Sequence, residues 1–218
     1  GSSRAGTLRG AQVAAELGYT SLVISYRNDG EGPQLGAGRS TLGFTESQDA
    51  ESAVDFAVQR GAQQIVLFGW SMGAAIALRV ANRARHPGVI AGIVLDSPVL
   101  NWVEVIKANC ERSGLPAAVG HLVTPWLMLA PAARCVGLPG VVPLREFDWV
   151  KRAEELSVPM VILHSTIDDS APFSVSEELR GRRPDLVELV AFEAGHTMAW
   201  NSDPVRWRTA VSSWLSAL

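Results

Sequence analysis

This chain has little cysteine, little charge and no clustering of positive charge. Only two of its 218 residues are cysteine, Cys110 and Cys135. They fit either two reduced thiols or one disulfide, and no Cys-x-x-Cys occurs. The four histidines, His86, His121, His164 and His196, are not paired at ligand spacing, so no metal is implied. Charged residues make up 19% of the chain and the net charge is −3. With no basic stripe, neither nucleic acid nor an anionic membrane surface is expected as a partner. No internal repeat or low-complexity tract is apparent.

What is present is apolar: 47% of the residues, enough for one globular domain with a sizeable core. Apolar strand-like runs alternate with helical patterns. Leu8 to Leu17 reads as a helix and Thr20 to Tyr26 as a strand. Glu46 to Arg60 reads as a helix, opened by a capping box of Thr45 and Gln48. Ile65–Phe68, Val89–Leu95, Met160–His164 and Leu186–Val190 read as strands. Gly73–Arg85, Val175–Arg180 and Pro204–Leu218 read as helices. Such alternation implies an α/β fold, a mostly parallel sheet with helices on both faces.

The most informative stretch is Gly69-Trp70-Ser71-Met72-Gly73. A strand precedes it and a helix follows, with serine at the apex. This is the pattern of a nucleophile elbow, in which a strained turn exposes the hydroxyl. Flanking glycines are expected because bulk beside the turn would clash. The turn also leaves the Met72 N–H at a helix N-terminus, where it can face a developing oxyanion. As a helix cap alone, Ser71 would need no glycine on either side.

A nucleophilic serine needs a base, and the base needs an orienting acid. His196, in Phe192-Glu193-Ala194-Gly195-His196-Thr197, follows the last strand-like run. Asp168, in His164-Ser165-Thr166-Ile167-Asp168-Asp169, follows another. Asp169 is one residue away, an exposed loop carboxylate if Asp168 is the acid. Asp96 also ends a strand after Ser71, with a turn or cap role as its alternative. His164 is expected to hold the acid loop through a backbone carbonyl. His86 reads as a solvated helix end, and His121 lies in an apolar, Pro-rich segment.

Four blocks together resemble the α/β-hydrolase superfamily, with most similarity to bacterial esterase- and lipase-like proteins and to the prolyl-oligopeptidase and serine-aminopeptidase groups. They are Ser25-Tyr26-Arg27-Asn28-Asp29-Gly30, the elbow, His164 to Pro172, and Gly195-His196. Ser165 departs from the family's usual glycine. The resemblance implies the chain order Ser71, Asp168, His196. It implies Ser71 as nucleophile, His196 as base, Asp168 as orienting acid and Met72 as one oxyanion donor. A small-molecule acyl substrate without a cofactor is expected, an ester more readily than an amide. A peptidase, an acyltransferase and a binding module that kept the elbow are the rivals. Localisation and oligomeric state stay open.

Two regions complete the expectation. The implied fold places a strand between the Thr20 and Ile65 strands, ahead of the first helix, ending in a His-Gly loop that supplies the second oxyanion donor. The chain opens at Gly1-Ser2-Ser3-Arg4-Ala5-Gly6, already in the loop before that helix, so the N-terminal strands are read as missing; Gly1-Ser2-Ser3 also fits a tag remnant. Asn101 to Ser157 reads as a cap inserted into a domain spanning 1–218. Ser113 through Ala133 carries no formal charge, but Pro116, Pro125 and Pro131 argue against a membrane-spanning helix. Trp102 and Trp126 in the cap, and Trp70 in the elbow, are the expected substrate-binding residues. Trp149, Trp207 and Trp214 are expected in the core.

Overall fold

A computed structural model describes residues 4–83 and 85–218. Gly1–Ser3, read as loop or tag remnant, and Ala84, read as helical, lie outside the described residues. After a 3-10 turn at Arg4–Thr7 come α1 (Leu8–Glu16), α2 (Glu46–Gln59), β1 (Ile65–Trp70), α3 (Met72–Asn82) and β2 (Ile90–Asp96). The middle segment holds α4 (Trp102–Arg112), α5 (Val119–Met128) and α6 (Ala130–Cys135). Then follow β3 (Met160–Ser165), α7 (Phe173–Arg182), β4 (Val187–Phe192), α8 (Ala199–Ser202) and α9 (Pro204–Ser216).

The four strands form one parallel sheet in the order β1-β2-β3-β4. Successive residues of β2 and β3 alternate between two buried faces. Ile93, Leu95, Met160 and Ile162 pack with α2, α3 and α7 residues such as Val54, Leu78 and Leu179. Val94, Val161 and Leu163 pack on the other face with Val13 of α1 and Trp207, Val211 and Leu215 of α9. Strands covered on both faces read as continuous apolar runs, which is why these were legible. Trp149 and Trp207 are fully buried, and Trp214 packs against the cluster that holds Trp207.

Three expectations need correction. Thr20–Tyr26 forms no strand. Its Val and Ile carry β propensity, but a strand exists only through a neighbour's backbone. β1 is the edge of the sheet, and no described residue pairs with it on that side. The Tyr26 N–H turns instead to the Asp29 carboxylate at 3.0 Å. The Thr45–Gln48 capping box is also absent. Thr45 is already helical and its side chain makes no cap bond. The preceding loop curls back, so the Thr41 hydroxyl accepts from the Thr45 N–H at 2.8 Å. The buried Glu46 carboxylate accepts from the Thr41 and Gly43 N–H groups. Lastly, α3 ends at Asn82, short of His86, whose Nε2 sits 2.9 Å from an Asp55 carboxylate oxygen.

Much of the segment after β2 packs against α3 and the loop after β3. Trp102, Val105, Ala133, Leu138, Val142, Leu144 and Phe147 form one cluster with Ala75 of α3, Ala171 after β3, and the side chain of Met72. Arg79 of α3 ties the far end of the segment down through Glu146 at 2.5 Å. No helix among the described residues is long and apolar enough to cross a membrane. Cys110 and Cys135 are both free thiols.

Candidate active site

β1 delivers the chain to Ser71, which adopts φ 51° and ψ −116°. A positive φ on a non-glycine residue is strained, at a cost of order 1–3 kcal/mol. The surroundings hold it there. The Ser71 N–H donates to the Asp96 carbonyl at 3.0 Å, and its own carbonyl accepts from Val99 N–H at 3.2 Å. The apolar first turns of α3, buried from Ala74 to Val80, lock the helix beyond it. Met72 is the first residue of α3, and first-turn N–H groups have no acceptor within their helix.

The two flanking glycines are not equivalent. A Cβ on Gly69 would lie 2.6 Å from the Ala74 backbone, so the close strand–helix approach demands glycine there. A Cβ on Gly73 would meet nothing within 4 Å, so the expected clash does not exist on that side. α3 leads away from the turn and leaves that position open.

His196 is brought to Ser71 by the loop after β4. Its Nε2 lies 2.8 Å from Ser71 Oγ, and its Nδ1 lies 2.8 Å from Asp168 Oδ2. The Asp168 side chain is fully buried. Its Oδ1 accepts the N–H groups of Ser170 and Ala171, each at 2.9 Å. Burial alone would push this carboxyl up. The hydrogen bonds from His164, His196, Ala171 and Ser170 outweigh it and hold Asp168 far below the usual carboxylate range. The group is therefore an anion aimed at the Nδ1 edge of the imidazole.

His164 braces the acid loop. Its Nε2 lies 2.9 Å from the Ala171 carbonyl and 3.4 Å from Asp168 Oδ2, and its Nδ1 lies 2.7 Å from Ser176 Oγ. Asp169 points away, 63% exposed and 3.8 Å from Arg112. Asp96 is buried at 1% exposure, and burial raises its pKa. It caps no turn with its carboxylate. Instead it accepts the Trp207 indole N–H at 2.9 Å.

The tryptophans divide. The Trp70 ring packs among the residues under α1 and α9, stacked on Phe68 at 6.0 Å with the Arg9 guanidinium 5.5 Å away. This is the opposite sheet face from α3. Trp102 is 9% exposed in the cluster that includes Met72, and its indole N–H donates to the Leu42 carbonyl at 2.9 Å. Trp126 is half exposed on α5, next to Leu122 and Val123. Sequence reading did not find the loop carrying Leu42 as part of this neighbourhood. Leu42 adopts φ 58° and packs against the cluster that holds Trp102, an arrangement with no local sequence signal.

A model of the alpha/beta hydrolase family matches residues 5–210. The chain belongs to the alpha/beta hydrolase family. Among curated proteins it is 24% identical over 212 residues to YqkD, an uncharacterized protein of Bacillus subtilis (strain 168). That alignment covers 96% of this chain and 66% of YqkD, so the chain spans a little under two thirds of that relative's length. Among solved structures, an esterase of Pyrococcus furiosus superposes with a TM-score of 0.72 at 18% identity, over 96% of this chain and 75% of that one. A monoacylglycerol lipase of Paleococcus ferrophilus gives 0.62 at 19% identity, over 97% and 90%. A serine hydrolase homologue from Coxiella burnetii gives 0.62 at 18%, over 96% and 76%. At these identities the likeness is one of fold.

Proposed function

We propose that the chain is a serine hydrolase that cleaves carboxylic esters through an acyl-enzyme. The observation that carries this is the single imidazole of His196, hydrogen-bonded to the Ser71 hydroxyl on one side and the Asp168 carboxylate on the other. His196 takes the Ser71 proton as Oγ attacks the acyl carbon. It returns that proton to the leaving alkoxide when the tetrahedral intermediate collapses. Water then repeats the sequence on the acyl-serine and frees the acid. Asp168 fixes the imidazole tautomer and stabilises the imidazolium. The Met72 N–H is one oxyanion donor, a contribution typically worth about 3 kcal/mol.

The segment Asn101–Ser157 acts in this reading as a cap over the site. Its packing on Met72, Ala75 and Ala171 supports that role. An uncharged stretch from Ser113 to Ala133 favours an apolar acyl group. Two structural neighbours, an esterase and a monoacylglycerol lipase, agree with an ester substrate. The test is a chain-length series of acyl esters alongside aminoacyl amides, with and without acceptor alcohols. Ester turnover with free acid as product supports the reading. Faster amide cleavage assigns a peptidase, and acyl capture by the alcohol a transferase. No turnover together with no labelling of Ser71 by a fluorophosphonate leaves a binding module.

A further inference from the structure

Immediately after the base stands Thr197, with φ 58°. A β-branched residue with positive φ is an outlier, and such strain persists only where its surroundings over-determine it. Both backbone polar groups of Thr197 are held from outside the loop. Its N–H donates to Ser97 Oγ at 2.9 Å. Its carbonyl accepts from Arg9 Nη2 at 3.2 Å. Arg9 Nη1 also reaches Asn201 Oδ1, at 3.4 Å, on α8 just beyond the loop.

Arg9 is costly to place there. Its side chain is only 15% exposed, with Asp96 Oδ2 3.9 Å away on a side chain that is 1% exposed. At that separation the pair is not hydrogen-bonded. Arg9 Nε, Asp96 Oδ1 and Trp70 Nε1 are all buried without a partner among the described residues. Apolar residues of similar volume would pack this space more cheaply than an imperfect buried ion pair. The backbone is shaped for it all the same. Gly10 lets α1 approach β1 so closely that a Cβ would lie 2.9 Å from the Phe68 ring and 3.0 Å from Trp70. What Arg9 does, and an apolar residue cannot, is donate to the Thr197 carbonyl.

We propose that Arg9, balanced by Asp96, is a positioning residue for the catalytic base: α1 clamps Thr197 and thereby fixes the imidazole of His196 between Ser71 and Asp168. The proposal rests on the triad reading. Arg9 touches no reacting atom and acts through the loop backbone.

The experiment compares wild type with R9K, R9M and R9M/D96N on a short acyl ester, active sites being counted by fluorophosphonate labelling taken to completion. R9M is expected to lower kcat per active site about tenfold or more, with KM within about twofold. R9K, which keeps the charge and a donor, recovers most of that loss. R9M/D96N removes the unpaired buried carboxylate, so its melting temperature returns toward wild type while kcat stays low. Wild-type kcat per active site in R9M/D96N overturns the proposal, as does an R9M loss explained wholly by fewer labelled sites. A second readout needs no turnover. The downfield ring proton of the His196–Asp168 hydrogen bond in proton NMR is expected to weaken or shift in R9M/D96N, and an unchanged resonance counts against the clamp. Wild type that fails to label at Ser71 overturns the hydrolase reading instead, and the NMR comparison then judges the clamp separately.

Discussion

The imidazole of His196 lies 2.8 Å from the hydroxyl of Ser71 although 125 residues separate them in the chain. Parallel strands make this possible. The strands are all parallel, so β1 and β4, though at opposite edges, both end at the carboxyl end of the sheet, where the turn after one and the loop after the other meet. Replacing Ser71 with alanine removes the hydroxyl that this reading makes the nucleophile and leaves the packing of α3 in place. Ser71→Ala is expected to keep the wild-type circular dichroism spectrum, lose fluorophosphonate labelling and lower ester kcat by up to about a million-fold. Labelling of the alanine variant at the wild-type rate assigns the nucleophile to another residue.

Asp168 gives a prediction in pH. Its pKa is depressed in the folded chain by donors from two histidines and two backbone N–H groups. A depressed carboxyl contributes stability that is fully present above its unfolded pKa, about 3.9, and is lost as pH falls through the folded value. Between about pH 5 and 9 the contribution is therefore constant. The stability gap between wild type and Asp168→Asn is expected to stay flat across that range in urea unfolding, closing only in strong acid. Activity of the asparagine variant is expected to fall about ten-thousand-fold, because an amide cannot favour the same tautomer. Any acid limb in the wild-type rate profile within that range comes from a group other than Asp168. A stability gap that shrinks steadily from pH 8 to 5 contradicts the hydrogen-bond account.

The residues brought together at the candidate site sit in patterns that are local in sequence. Strand–turn–helix patterning marks Ser71, and His164 with Pro172 frames Asp168 within one loop. The four sheet strands were legible as apolar runs. What could not be read depends on partners distant in sequence. Thr20–Tyr26 has strand composition and no ladder. Asp96 looks like a turn residue until α9 brings the Trp207 indole to it. Arg9 meets Thr197 across 188 residues and leaves no local pattern. Trp70 sits in the elbow motif, but strand alternation turns its ring to the α1 and α9 face.

The two glycines of the elbow separate steric need from habit. Gly69→Ala would push a Cβ to 2.6 Å from backbone atoms that cannot rotate away. It is expected to destabilise by roughly 1–3 kcal/mol and to lower activity by shifting Ser71. Gly73→Ala meets open space in the first turn of α3. Removing a glycine from a helix gains up to about 1 kcal/mol. Thermal melts of the two variants are expected to move in opposite directions. Equal destabilisation by both would show that the turn constrains Gly73 after all.

The proposed cap gives the last prediction, through two tryptophans that composition treats alike. Trp102 is buried against Met72 and Ala75, and its indole N–H holds the Leu42 carbonyl. Truncating it leaves a cavity and an unpaired carbonyl, at a cost of about 3–5 kcal/mol. Trp126 is half exposed on an uncharged helix with exposed Leu122 and Val123. Its truncation is expected to change stability by less than about 1 kcal/mol, since little packing is lost. If the segment covers the acyl group, Trp126→Ala shifts the preferred ester chain length and spares the shortest ester, whose acyl group is too small to reach α5. The measurement is kcat/KM across a series of acyl esters for both variants, each normalised to labelled active sites. A uniform change at every chain length removes Trp126 from the acyl pocket. A long-chain loss confined to Trp102→Ala places the pocket wall deeper, at the floor of the cap beside Leu42.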